Sequence, residues 1–457
     1  MTLTVKRISG CGRFWFGPTL VLFGILGLTS HSNAQAIPDT PVFLTPPWNA
    51  LHVFEPTPLP VLTDPASREP PAPEDTPVQS RRWPGYQPPG IRAGAWMFDP
   101  AVTAGGFYDS NVFSSNTNAE ADFVSRLGAS LQAHSLWERH GLDLKVSTLS
   151  TIYGSHSGLN QTDASFQGKG HFDIDHATVL LTSFEASYLH VAVGSLTSPT
   201  NAVEPTPYTL LSGDTTLRHE FGRFTGSIGA RVASYDFGST VAQNGSIINQ
   251  DSRDGQIYVA HGRLDYAVSE KLGLFTALEG NVRRLRGTPE QSFDSNGYRA
   301  LTGVDVELTH LIKAEFAGGF QSQRFEAGSV GTLQGPTYRA LLTWSPSRRL
   351  DVYFNAEQVL GTFDTSLTAV VANAAQLGFA YELRRNLVFS TAAAYEKDRF
   401  HGELRSDNVY VADAQLKYLL NNITSLSLQY RFVRRDSSQI ESSFDKHLVG
   451  ITARAEF

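Results

Sequence analysis

The sequence predicts an all-β chain, a transmembrane antiparallel up-and-down β-barrel of about 18 strands with 16 as the fallback. Three observations carry that prediction. Period-two stretches of apolar and polar residues recur roughly every 20 residues from residue 91 to the end. The connections between them are alternately short and long. After Thr29 no run approaches about 18 consecutive apolar residues, so no transmembrane helix is expected.

The alternation is clear in single stretches. In LGLFTALEGNV, Leu272, Leu274, Leu278 and Val282 share a face opposite Ala277, Glu279 and Asn281. In YRALTGVDVEL, Tyr298, Ala300, Val304 and Val306 oppose Arg299, Asp305 and Glu307. FQGKGHFDI sets Phe166 and Phe172 against Lys169 and His171, and SLSLQYRF sets Leu426, Leu428 and Phe432 against Gln429 and Arg431. A half-buried strand of a sandwich alternates too, so the connections decide. ERHG (138–141), EFGRF (220–224), VSEKL (268–272), LRRN (383–386) and LLNN (419–422) are tight. Between them fall long polar segments at 109–121, 191–207, 237–255, 287–296 and 326–336. That rhythm is expected of an outer-membrane barrel with short periplasmic turns and longer outer loops.

The two ends agree. KHLVGITARAEF alternates to its last residue, so the final strand is expected to pair with the first in a wall without edges. Phe457 on its lipid face is the expected signal to the barrel-assembly machinery. At the start, Lys6, Arg7 and Arg13 precede the apolar FWFGPTLVLFGILGLT and then Ala34-Gln35-Ala36. A basic region, an apolar region and an A-x-A site read as a secretory signal peptide over 1–36. Cys11 is the one cysteine, and it lies before the apolar run, so lipidation is not expected. A mature chain from residue 37 would hold no disulfide.

Residues 37–90 contain 15 of the 23 prolines. Such density neither donates to a sheet nor sustains a helix. A largely disordered periplasmic arm is expected, able to extend on the order of 150 Å, ahead of a barrel over 91–457. It reads as a plain linker, a tether to cell wall or export components, or a segment that folds into the pore. The net charge of −7 gives no support to nucleic-acid binding.

GGFYDSNVFSSNTNAEADFVSRL (105–127), SLWERHGLDL (135–144) and DIDHATVLL (173–181) together resemble the β-barrel porin 2 family. The resemblance covers residues from about 90 onward. It implies an outer-membrane pore of a Gram-negative cell, of a kind found mainly in Alphaproteobacteria and associated with exopolysaccharide or capsule secretion. It offers no catalytic residues.

If the apolar face meets lipid, the other lines the pore. Arg126, Lys169, Arg231, Arg283, Arg299, Arg339 and Arg431 are expected there, with Glu279, Asp305 and Glu307. These charges are mixed, so cross-strand pairing that stiffens the wall is one reading and a path for a hydrated, hydrogen-bonding solute is the other. His134, His171 and His261 sit on separate strands without partner histidines, a poor metal set. Serines near His190, His219 and His261 form no nucleophile motif, and DSRDG and the two DSN elements lack the spacing of a calcium hand. No catalytic residue, metal or cofactor is expected. The leading functional expectation is a passive conduit for an exopolysaccharide. Its alternatives are a general or small-solute porin and a structural or adhesive surface barrel.

Overall fold

Backbone N–H and C=O groups find no water in a bilayer, so a wall of strands must close on itself. The computed structural model describes residues 77–457 apart from 80, 196, 200, 288–293, 310–311, 327–329 and 364–367. The proposed signal peptide and residues 37–76 of the arm lie outside the described residues.

The main sheet has 19 members, one of them the three-residue Ile91–Ala93, which leaves eighteen wall strands. They are β1 (Trp96–Asp109), β2 (Asp122–Ser135), β3 (His140–Tyr153), β4 (Gln161–Asp173), β5 (Thr178–Val191) and β6 (Thr206–Phe221). Next come β7 (Phe224–Phe237), β8 (Gly255–Ser269), β9 (Leu272–Leu285), β10 (Ser295–Thr309), β11 (Ile312–Phe325) and β12 (Thr332–Ser347). The wall ends with β13 (Leu350–Phe363), β14 (Thr368–Arg384), β15 (Leu387–His401), β16 (Ser406–Leu419), β17 (Thr424–Ser437) and β18 (Phe444–Glu456). Each pairs antiparallel with its sequence neighbours. β1 closes the ring by pairing with β18 from Ala101↔Glu456 to Asp109↔Leu448. The sequence-based count of about 18 therefore stands. No helix among the described residues is long and apolar enough to cross a membrane.

Strand alternation sorts the side chains. Outward positions are apolar and exposed, for example Phe123 (73%), Ile228 (68%) and Leu278 (60%). Outward aromatics gather near both rims: Tyr108, Phe123, Tyr258, Tyr298 and Tyr410 toward the long loops, and Phe221, Phe224, Tyr266 and Tyr418 toward the short turns. Rings of this kind sit at the two lipid–water boundaries. One of the two-residue short turns, Gly222–Arg223, uses Gly222 at φ +68°, a left-handed conformation that other residues adopt at a cost.

The interior departs from a uniformly polar lining at the long-loop end. Ala233, Tyr235, Phe237, Ile257 and Val259 form an inward apolar cluster. A long loop covers it: the Arg253 guanidinium lies 4.1 Å over the Phe237 ring and donates to the Thr197 carbonyl at 3.1 Å. Phe107, Val124 and Leu448 form a second such cluster beside the β1–β18 closure.

β10 and β11 approach closely on the inner face. A Cβ on Gly319 would lie 1.8 Å from the Ala300 carbonyl oxygen, whereas one on Gly318 would meet nothing within 4 Å. Gly319→Val is therefore expected to destabilise the wall by about 3 kcal/mol or more, at the upper end for overpacking. The measurement is the heat-modifiable folded band on an unboiled gel, lost in Gly319→Val and kept in Gly318→Val.

Candidate functional site

Alternation places one series of side chains on the concave side of the wall, and contacts identify which. Arg263 on β8 donates through Nε to Asp265 at 2.8 Å, through Nη2 to Asp305 on β10 at 2.6 Å and through Nη1 to Glu315 on β11 at 3.1 Å. Neighbouring strands stand about 4.8 Å apart, so β8 and β11 are about 14 Å apart along the wall. Side chains bridge that span only across the inside of a curve. The guanidinium also stacks 3.7 Å over Phe275, and Arg339 adds its Nε 3.9 Å from Glu315. This hub gathers three carboxylates around one arginine.

The positions named from sequence all fall on the inward series. Glu279 stands opposite Arg299 in register, and Arg339 opposite Glu357. Arg299 is 4% exposed, with Nε and Nη2 outside any hydrogen bond, and Glu279 and Glu357 supply its countercharge. Arg431 holds Asp413 through two bonds of 2.7 and 3.0 Å. Arg231 lies 3.5 Å from Asp214, and Arg126 lies 4.8 Å over Phe107. Arg283 is buried, Lys169 is exposed on the inner face, and Glu307 pairs with Lys313 at 3.1 Å near a short turn. Phe457 is 45% exposed on the outside, its N–H donating to the Pro100 carbonyl at 2.9 Å.

These residues make one continuous lining rather than one constellation. Most are paired with a neighbour. Arg263 escaped the sequence reading although it follows His261 in the inward alternation. Its role depends on β10 and β11 carrying Asp305 and Glu315 into the same concavity, which register alone fixes. The histidines bond to carboxylates: His134 to Asp143 and Asp99 at 2.5 and 3.0 Å, His171 to Asp173 at 3.1 Å, and His261 to Asp214 at 3.0 Å. On β9–β11 the lining toward the long loops includes amides. Gln323 exchanges bonds of 3.0 and 3.1 Å with Asn281 and donates to Ser295 at 2.9 Å.

The last residues of the proline-rich segment lie in the short-turn mouth. The Val78 N–H donates to Asp351 at 2.5 Å, and Arg81 bonds Glu382 at 3.0 Å and the Arg348 carbonyl. Arg82 reaches Glu456 at 3.6 Å, and Arg385 covers the Trp83 ring at 4.7 Å. Asp351, Glu382 and Glu456 belong to the inward series of β13, β14 and β18, so this strap lies on the inner side of the rim. Val78 is fully buried there and Arg81 is 5% exposed.

At the opposite end, His156 joins two loops. Its Nδ1 contacts Asp122 and its Nε2 contacts Glu120, both at 2.8 Å, and Phe113 packs edge-on at 5.3 Å. The Asp122 hydrogen bond, then that of Glu120, raises the imidazole pKa above its ordinary value of 6.5.

Two expectations follow. Because the folded-state pKa of His156 is raised, its tie is fully present below about pH 6.5 and is lost as pH rises through the raised value. Hydrogen-exchange protection across 154–160, taken relative to the intrinsic rate at each pH, should therefore fall on alkalisation in the wild type, and His156→Gln should remove that fall. Arg263→Met removes the cation shared by Asp265, Asp305 and Glu315, leaving Glu315 the 3.9 Å contact with Arg339, which should cost about 3 kcal/mol of stability. It should also shift any ionic current toward cations, read as the reversal potential in a salt gradient.

Comparison with known proteins agrees with this architecture. The family model described as "Putative beta-barrel porin 2" matches residues 83–457. No curated protein matches the chain. Among solved structures, OpdL of Pseudomonas aeruginosa is similar at 11% identity and a TM-score of 0.42, over 79% of this chain and 99% of that one. A BenF-like porin of Pseudomonas fluorescens Pf-5 is similar at 12% identity and a TM-score of 0.42, over 79% and 99%. Likeness at that level says nothing about the solute here. The closed eighteen-strand wall and the family match over most of its length lead to one statement: the chain belongs to the β-barrel porin 2 family and is a porin-like barrel of the outer membrane.

Proposed function

We propose that this barrel is a passive outer-membrane channel for hydrated polar solutes, with its short turns and proline-rich arm in the periplasm and its long loops outside. One observation carries the reading. The inner face bears arginines, carboxylates and amides from the Arg263 hub round to Arg431–Asp413, while the outer face is apolar. Mixed charges at close spacing favour a solute that exchanges hydrogen bonds over one sorted by charge sign.

Export of an exopolysaccharide is the narrower form of the same reading. The amide cluster of Asn281, Gln321 and Gln323 favours it, since polyhydroxylated chains bond well to neutral donors and acceptors. The strap bears on both forms. Val78, Arg81 and Arg82 occupy the periplasmic mouth, so a polymer would need the strap withdrawn, and residues 37–76 supply a handle for wall or export components. Phe457 serves the assembly machinery, and the channel performs no catalysis.

The test is current through the purified full-length barrel in a planar bilayer. The account expects open channels, and higher mean conductance in the Arg81→Ala/Arg82→Ala double variant. A correctly folded barrel that stays silent in both forms would overturn it. For the export form, deleting the gene should lower polysaccharide outside the cell and raise the periplasmic pool. Two unchanged pools would leave the small-solute channel alone standing.

A further inference from the structure

The wall has one irregular seam. β12 keeps its ladder with β11 from Arg324↔Thr332 to Gly318↔Tyr338. On its other side, among the described residues, the ladder with β13 ends at Arg339↔Glu357. Beyond that point β13 pairs only with β14, through Gln358↔Asn373 and Leu360↔Val371. The Thr337 hydroxyl, donating to the Gln358 carbonyl at 3.4 Å, replaces the ladder there.

Side chains show how the two edges lie. Leu360 holds an outward position by alternation, yet it is 1% exposed and packs with the inward residues Phe325 and Leu333 and with Ala369. Gln358, also outward by alternation, accepts a hydrogen bond at 3.0 Å from Gln321, an inward residue of β11. The long-loop end of β13–β14 is therefore tucked behind β12, and the two edges overlap. The sequence fits this arrangement. Gln358 and Asn373 are polar at positions that would otherwise meet lipid, and they bond each other at 3.0 Å. Pro336 on the free edge has no N–H to leave unsatisfied. Beside that edge, on the inner face, a Cβ at Gly335 would meet nothing within 4 Å.

We propose that this overlap is a lateral opening, and that the apolar surface of Phe325, Leu333 and Leu360 behind it receives an acyl chain from the surrounding bilayer. Three facts favour an acyl chain over a polar solute. The cluster is apolar, its residues come from both edges of the seam, and the seam reaches below the aromatic ring marked by Tyr298 into the lipid-facing wall. An overlapped pair of edges also opens without breaking a ladder, whereas any other place in the described wall loses strand hydrogen bonds. This opening is independent of axial passage and does not rest on the channel reading.

The experiment uses the full-length barrel in phospholipid vesicles containing a photoactivatable fatty acid, with crosslinked residues mapped by mass spectrometry. Labelling is expected at Phe325, Leu333 or Leu360. Oxidising the Thr337→Cys/Gln358→Cys pair, placed where the Thr337 hydroxyl already meets the Gln358 carbonyl, should abolish it, and reduction of the same sample should restore it, which controls for misfolding. Labelling confined to outward residues such as Tyr338, or labelling of the cluster that persists with the seam crosslinked, would overturn the proposal. Axial conductance should be the same in the oxidised and reduced samples.

Discussion

The constraint on which everything else rests is the need to satisfy backbone hydrogen bonds where water is absent. Eighteen strands meet it by closing β1 on β18. Once the ring is closed, alternation leaves no freedom about which side chains face lipid. Every second residue must be apolar, and the polar remainder is driven together inside. Thus the charged lining is a consequence of closure before it is a device for transport.

Confinement then determines how the charges behave. On a flat sheet Arg263 would meet only its immediate neighbours. On a concave wall it gathers carboxylates from β8, β10 and β11, and the aromatic ring of Phe275 supports it. The same curvature lets the strap satisfy Asp351, Glu382 and Glu456 at one rim. A loop roofs the Tyr235–Phe237 cluster at the other rim. The two mouths therefore differ: charge pairing with the strap fills the short-turn end, and the long-loop end adds apolar packing under a loop to ion pairs of its own, such as Arg405–Asp407 at 2.6 Å.

The fold was legible because period two and turn rhythm are local signals. Leu278 and Glu279 declare their faces from sequence alone, and so do Tyr298 and Arg299. Contacts between distant strands were less legible. Arg263 could be placed on the inner face from its alternation with His261 and Asp265, but its partners follow from register across three strands. Ile257 and Val259 are apolar on the inward face because a loop covers them, and alternation gives no hint of a roof. Proline density in the arm argued against regular structure, and most of the arm lies outside the described residues. What density could not show is that Val78 and Arg81 still find fixed partners. Gln358 and Asn373 did carry a signal, being polar at lipid-facing positions, and they mark the place where the wall departs from a simple cylinder.

The central claim is that one alternating series of side chains lines a water-filled path and the other meets lipid. A cysteine scan along β10 from Tyr298 to Val306, in a chain whose one native cysteine is Cys11, tests it most directly. Each variant would be exposed to a membrane-impermeant thiol reagent while current is recorded. The account predicts block at Arg299, Leu301 and Asp305 and none at Tyr298, Ala300, Thr302, Val304 and Val306; Gly303 is left out because a Cβ there would lie 2.3 Å from the Phe316 carbonyl oxygen. Block at the second set, or reactivity without any period of two, would contradict it.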